Sequence, residues 1–323
     1  MTDQDTGGTG REDMGTGGVR ADDARGNPAE DGPSLSGTAE RKMADRTMGA
    51  LDGNFAAGED HSLEEGVGHA QRGMDRLILI RHGETHANIA RILDTVLPGA
   101  PLTDHGVIQA RRLGRVLLPS RDRLSEIVTS HALRARQTGA GAVAGLHLLA
   151  GPGVRLRHEE GLHEIQAGEV EGRSDYDAHR QFMEIFHGWV HGKSGAAMGG
   201  GESADDLLGR YLPVLRSLVA EQRVPGEGAG VANGVGGADG ADGADGADGD
   251  GGRNIAVVSH GAAIRLVAQH LAGIDGDFVF RHPIPNAARI ELVRDVDAGA
   301  GDAAGSWRLV RWGELADNLD ARD

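Results

Sequence analysis

Two stretches constrain the fold more than any others: residues 77–80 (LILI) and 255–258 (IAVV), apolar at every position rather than at alternate ones. A strand with one wet face alternates apolar and polar side chains, so an unbroken branched run fits a strand buried on both faces. Further short apolar runs lie at 127–129, 289–293 and 307–312, and helical patterns separate them at 103–118, 134–144, 176–190, 203–222 and 262–271. Strands alternating with helices predict an α/β fold, a three-layer α/β/α sandwich around a mostly parallel central sheet. In such a sheet ligands bind beyond the carboxyl ends of the strands.

Composition sets the limits of the folded part. Residues 1–73 hold 15 of the 53 glycines, with 15 acidic against 7 basic residues and no sustained apolar period, which reads as a disordered extension. Residues 224–252 hold 12 glycines, six acids and no base, and repeat ADG four times from Ala238 to Gly249, which reads as a disordered insert. The remaining 221 residues suffice for one domain over 74–323, interrupted at 224–252. The extension carries −8 and the insert −6 of the formal −16, so the folded part is close to neutral. No basic stripe suggests a nucleic-acid partner. There is no cysteine, which excludes disulfides, thiolate metal sites and a cysteine nucleophile. No apolar run approaches the ~20 residues that span a bilayer, and no secretion signal is legible, so no membrane partner and a cytoplasmic location are expected. Met74 stands just ahead of the first strand, which leads us to expect an internal translation start there.

Three of the apolar runs end in polar residues that a parallel sheet would bring to one edge. LILI leads into Arg81-His82-Gly83, EIVTS into a helix whose first turn carries Arg134, and IAVVS into His260-Gly261. Two arginines and two histidines at one edge suit a phosphate dianion, because guanidinium forks match its oxygens. Gly83 and Gly261 each let the backbone turn and come close to a ligand. A neutral imidazole can serve as nucleophile, and Glu164, Glu169 and Glu171 in GLHEIQAGEVEG are candidates for a proton donor. With cationic side chains to carry the developing charge, neither metal nor cofactor is required.

Other motifs fail on spacing. His82 and His86 are four apart, but a zinc protease helix needs Glu directly after the first His, where Gly83 stands. GWVHGKS at 188–194 has three residues between its glycines where a phosphate-binding loop needs four, and a helical pattern precedes it. VVSHG lacks the first glycine of a serine elbow, and the ADG triplets lack the alternate spacing of a calcium loop.

Five segments together resemble the histidine phosphatase superfamily, also called phosphoglycerate mutase-like. LILIRHGETHAN is similar to its RHG box, TSHALRARQTG to its S-x-L-x-R-A-x-Q-T-A segment, LHEIQAGEVEG to its acid segment, GGGES to its G-G-E-S loop, and VVSHGAAIR to its second histidine box. The resemblance spans 77–312 and implies that His82 is the phosphorylated nucleophile. It further implies that Arg81, Arg134 and His260 bind and polarise the phosphoryl group, that Glu164 is the proton donor, and that Asn88 and Gly261 contact the substrate phosphate, with Glu202 and Ser203 as a rim. On the residues alone, Asn88 can equally be a helix cap, and Glu202-Ser203 a helix start. The family's proline and leucine of the second box are here His131 and Ala132, and its acid-segment aromatics are Ala167 and Val170, which predicts a differently shaped substrate wall.

The expected activity is metal-independent hydrolysis of a small phosphorylated metabolite through a phosphohistidine. A phosphoglycerate mutase is the first alternative, although HEIQAG stands where the family's mutases have E-R-H-Y-G, and a non-catalytic phospho-ligand binder is the second. Residues 173–201 are the expected lid, and the resemblance leads us to expect a monomer or homodimer. The insert leads into the amino end of the strand at 255, away from the expected site.

Overall fold

The computed structural model describes residues 61–62, 76–223, 254–294 and 306–314. The segments expected to be disordered, 1–73 and 224–252, lie outside the described residues with the exception of His61–Ser62. In chain order the elements are β1 (His61–Ser62), β2 (Arg76–Arg81), α1 (His86–Ile89), α2 (Asp104–Leu117), β3 (Glu126–Ser130), α3 (Leu133–Ala150), β4 (Arg155–Glu159), α4 (Tyr176–Val190), α5 (Ala204–Arg223), β5 (Asn254–Ser259), α6 (Gly261–Ala272), α7 (Gly276–Arg281), β6 (Arg289–Arg294) and β7 (Trp307–Glu314), with short 3-10 turns at Leu118–Arg123 and Gly168–Val170.

The sheet has the order β1-β7-β6-β2-β5-β3-β4. Strands β2, β5, β3 and β4 run parallel, and β6, β7 and β1 continue the sheet antiparallel from β2. The parallel part carries the site. His61–Ser62 pair antiparallel with Trp312 and Arg311 along the edge of β7.

The unbroken apolar runs do what their composition requires. Leu77 and Leu79 point into one core with Ile255 and Val257, beneath residues of α4, α5 and α6; Ile78 and Ile80 point into a second with Ala256 and Val258, beneath α2 and α3. Burial on both faces creates the three layers. Helices α2 and α3 approach so closely that a Cβ on Gly145 would lie 2.2 Å from the Arg111 carbonyl oxygen, which explains the small residues of α3. The strand β4 was not legible in the sequence, because RLRHE is an edge strand with polar side chains at all but one position and a half-buried leucine at that one.

Candidate active site

The register pairs Ile80 with Val258 and Arg81 with Ser259 across β2 and β5, and Thr129 with Val258 across β3 and β5. The carboxyl ends of three parallel strands therefore finish level, and Arg81-His82, Ser130 and His260 leave the sheet at one edge. A cleft of about 700 Å³, open mouth included, lies there. Arg81, His82, Asn88, Arg134, Glu164 and Gly261 line it, together with Thr85, Asp94, Thr95, His179, Phe182 and Arg265.

His82 is held mainly by backbone groups. Its N–H donates to the Ser259 carbonyl at 3.0 Å, and its carbonyl accepts from Ala287 N at 3.1 Å and Asn286 Nδ2 at 3.1 Å. Ring atom Nδ1 lies 2.7 Å from the Gly83 carbonyl. A carbonyl only accepts, so Nδ1 carries the proton and Nε2 keeps its lone pair. Burial, then the charges of Arg134 and Arg81, hold the His82 pKa well below the usual imidazole range. The ring is therefore neutral at pH 7. Gly83 is required for close approach, since a Cβ there would sit 2.7 Å from the Gly106 carbonyl oxygen.

Of the three arginines that line the cleft, Arg81 and Arg134 bear on the His82 ring. Arg81 donates through NH1 to the Ile284 carbonyl at 2.7 Å, which fixes its head against the cleft wall. Arg134, in the first turn of α3, donates through NH1 to Asp94 Oδ2 at 3.2 Å and through Nε to His260 Nδ1 at 3.1 Å. Both are buried. Burial lowers the Arg134 pKa, and the Asp94 carboxylate partly offsets that.

His260 differs from its expected place. It is fully buried and is not among the residues lining the cleft. Since Arg134 Nε–H can only donate, Nδ1 of His260 accepts, and Nε2–H donates to Ser130 Oγ at 2.8 Å. Burial, then Arg134 and His82, lower its pKa well below the usual value, and its ring lies 5.2 Å from that of His82. In this arrangement His260 aims Arg134; its own nitrogens are both occupied.

Glu164 is the one glutamate of the acid segment that lines the cleft. Its Oε1 accepts from Ile165 N at 2.9 Å and Ala263 N at 2.9 Å, and its Oε2 accepts from Ala262 N at 3.1 Å, so the carboxyl sits on the N-terminus of α6. Glu171 is spent on structure, accepting from Thr95 N at 2.8 Å and Val96 N at 3.1 Å.

Asn88 takes part in capping α1 and also lines the cleft. Its Oδ1 accepts from Thr85 N at 3.1 Å in the capping box of α1 and from Asn286 Nδ2 at 3.1 Å, while the side chain also lines the cleft. Glu202 and Ser203, expected as a substrate rim, are not brought to the cleft. Ser203 Oγ accepts from Asp206 N at 3.1 Å, and Asp206 Oδ2 accepts from Ser203 N at 2.9 Å, a reciprocal cap at the start of α5. Glu202 takes a bidentate fork from Arg210, with Nε to Oε1 at 2.8 Å and NH2 to Oε2 at 2.7 Å. Burial pushes the Glu202 pKa up, but the Arg210 hydrogen bonds and charge outweigh this and hold it below its ordinary value.

The expected reshaping of the wall at Ala167 and Val170 is also corrected: both are buried in the core and neither lines the cleft. Of the expected lid, His179 and Phe182 face the cleft, whereas Phe186 and Trp189 pack into the core. Sequence reasoning missed Asp94, Arg210 and Arg265. Arg265 lines the cleft, donates to the Val279 carbonyl at 2.6 Å, and has its pKa lowered to about 9 by burial and by Arg81. It lay inside the quoted VVSHGAAIR segment; Asp94 and Arg210 carry no spacing signal.

Fold and cleft together define a class: a three-layer α/β protein whose parallel strands end at a cleft lined by a neutral, buried imidazole and the guanidinium groups of Arg81 and Arg134. A family model described as histidine phosphatase superfamily (branch 1) matches residues 77–226 and 244–306. The chain belongs to the histidine phosphatase superfamily and is an enzyme of that superfamily. It is 29% identical over 196 residues to a broad-specificity phosphatase of Saccharomyces cerevisiae, covering 61% of this chain and 70% of that one. It is 32% identical over 142 residues to a 2,3-bisphosphoglycerate-dependent phosphoglycerate mutase of Azorhizobium caulinodans, covering 43% and 66%. The solved structure of a mycobacterial glucosyl-3-phosphoglycerate phosphatase shares the fold, with a TM-score of 0.55 at 22% identity over 74% of this chain and 99% of that one. Among the described residues no helix is long and apolar enough to cross a membrane.

Proposed function

We propose that this chain hydrolyses a small phosphomonoester through a phosphohistidine at residue 82. The observation that carries the reading is the state of that ring: Nδ1 is tied to the Gly83 carbonyl, Nε2 is left with its lone pair, and the ring lines a cleft shared with Arg81 and Arg134.

In the first step His82 Nε2 attacks phosphorus, the ester P–O bond breaks, and Glu164 in its acid form gives its proton to the departing oxygen. Oε2, with a single backbone partner, is the oxygen with room for that proton. Arg81 and Arg134 carry the charge on the equatorial oxygens, aimed respectively by the Ile284 carbonyl and by His260 with Asp94. Asn88 Nδ2, which has no partner among the described residues, adds a donor at the rim. In the second step Glu164 takes a proton from water, the oxygen bonds to phosphorus, the P–N bond breaks, and phosphate leaves with neutral His82 restored.

A mutase reading draws support from the names of several relatives, which are phosphoglycerate mutases. Phosphatase is favoured because HEIQAG replaces the mutases' acid-segment sequence. A panel of phosphomonoesters, assayed without added metal beside His82→Ala, tests the proposal. We expect inorganic phosphate release by the parent, acid-labile label on its residue 82, and neither in the variant. Phosphate moved between hydroxyls without release identifies a mutase; turnover by His82→Ala at the parent rate refutes the nucleophile.

A further inference from the structure

His187 and His191, within the expected lid at 173–201, meet an acid from a different helix. His187 lies in the last turn of α4 and His191 caps it, four residues on, their rings stacked at 4.1 Å between centroids. Asp277 stands in the first turn of α7 with Oδ1 3.1 Å from His191 Nε2. One ligand atom from each of the three lies within 4.8 Å of the others, and all three residues are exposed. We propose that His187, His191 and Asp277 form a binding site for a divalent transition-metal ion of the zinc, cobalt or nickel type, remote from the catalytic cleft.

The surroundings pre-arrange the donors. His191 Nδ1 lies 2.8 Å from the His187 carbonyl, which accepts its proton and leaves Nε2 as the ligating atom, the usual outer bond of a metal-bound imidazole. His187 is set edge-on against Phe280 at 4.9 Å. The two helices can approach because residue 276 has no side chain: a Cβ there would lie 2.3 Å from the Val190 carbonyl oxygen. Two imidazole nitrogens and one carboxylate oxygen select borderline ions over magnesium or calcium, which prefer oxygen alone. Asp277 Oδ2 stays with Arg281 NH2 at 3.0 Å, so Oδ1 remains for the ion. Bonds of about 2.0–2.2 Å around one ion require the three side chains to close in somewhat, which exposed rotamers allow.

The consequence is a clamp between α4 and α7. Helix α4 gives His179 and Phe182 to the cleft, and α7 gives the Val279 and Phe280 carbonyls that hold Arg265. An ion joining the helices stabilises the folded chain in proportion to its binding. At a free concentration 100-fold over Kd, Tm rises by roughly 5–11 °C.

The test is calorimetric titration of the chelator-stripped full chain with zinc chloride, with magnesium chloride as control, followed by thermal unfolding with and without zinc. Expected are one saturable zinc site, no magnesium binding at the same concentrations, and a raised Tm. His187→Ala and His191→Ala abolish the site, Asp277→Asn weakens it by about tenfold or more, and His82→Ala retains it. The spectrum of the cobalt-loaded chain reports nitrogen ligation and disappears in His187→Ala. Zinc binding that survives both surface histidine variants and is lost in His82→Ala would place the ion in the catalytic cleft and overturn the proposal, as would the lack of any saturable site.

Discussion

Arg210 offers the most searching test of how this site is held, because it does not line the cleft yet fixes the turn that carries the acid. Its NH1 donates to the Gly161 and His163 carbonyls at 2.7 and 2.9 Å, its NH2 to the Glu164 carbonyl at 2.9 Å, and its Nε and NH2 to the Glu202 carboxylate. Replacing it with Met keeps much of the stem and strands three carbonyls and a half-buried carboxylate. Breaking a buried pair from one side costs about 3–5 kcal/mol. The side chains of this pair are 18% and 17% exposed, so solvent screening argues for the lower end, about 3 kcal/mol. For a folded part of this size that is a Tm loss of roughly 6–12 °C. The functional effect is separate. Arg81, Arg134 and His82 do not depend on this turn, so KM should move by less than about threefold, whereas a carboxyl displaced by about 1 Å should lower kcat about 100-fold. Arg210→Lys, which keeps the charge but loses the fork, should fall between. The assay is phosphate release for parent, Arg210→Met and Arg210→Lys, with unfolding followed by circular dichroism on the same samples. A Met variant with kcat within about twofold of the parent and an unchanged Tm would show that the acid turn is held by something else.

Other outcomes follow from the same geometry. His82 and His260 are both held neutral with folded pKa values well below the ordinary 6.5, so the unfolded chain binds more protons than the folded one as pH drops below that value. Stability is therefore fully present above about pH 6.5 and falls by up to about 1.4 kcal/mol per pH unit for each histidine beneath it; denaturant unfolding at several pH values should show this slope flattened in His82→Gln. Gly83→Ala forces a contact 2.7 Å long against backbone, which should cost about 1–3 kcal/mol in urea unfolding and displace the nucleophile enough to cut kcat; wild-type activity with wild-type stability would contradict the packing. Deleting 224–252 joins Arg223 to the amino end of β5, opposite the cleft, so turnover should stay nearly unchanged, and a large drop in a folded deletion variant would contradict the topology.

Much of this was legible in the chain itself. The runs LILI and IAVV determined a doubly covered sheet, because alternate side chains of an extended strand must point to opposite faces and here all are apolar. The charged residues directly after those runs determined which edge holds the site, since a charge follows a buried strand only where the backbone leaves the core. Sequence also carried Arg81, His82, Arg134, Glu164, Asn88 and Gly261 to their cleft. What tertiary structure alone decided was which polar groups face the ligand and which face each other. Glu202 looks like a ligand to the substrate until Arg210, two helical turns on, closes around it. His260, expected as a phosphate contact, has Ser130 and Arg134 at its two nitrogens, which no spacing along the chain foretells. Asp94 bears on Arg134 from a loop 40 residues earlier. Side-chain hydrogen bonds are short and directional, so their partners are set by ångström-scale packing of distant segments, whereas burial follows a period written along the chain.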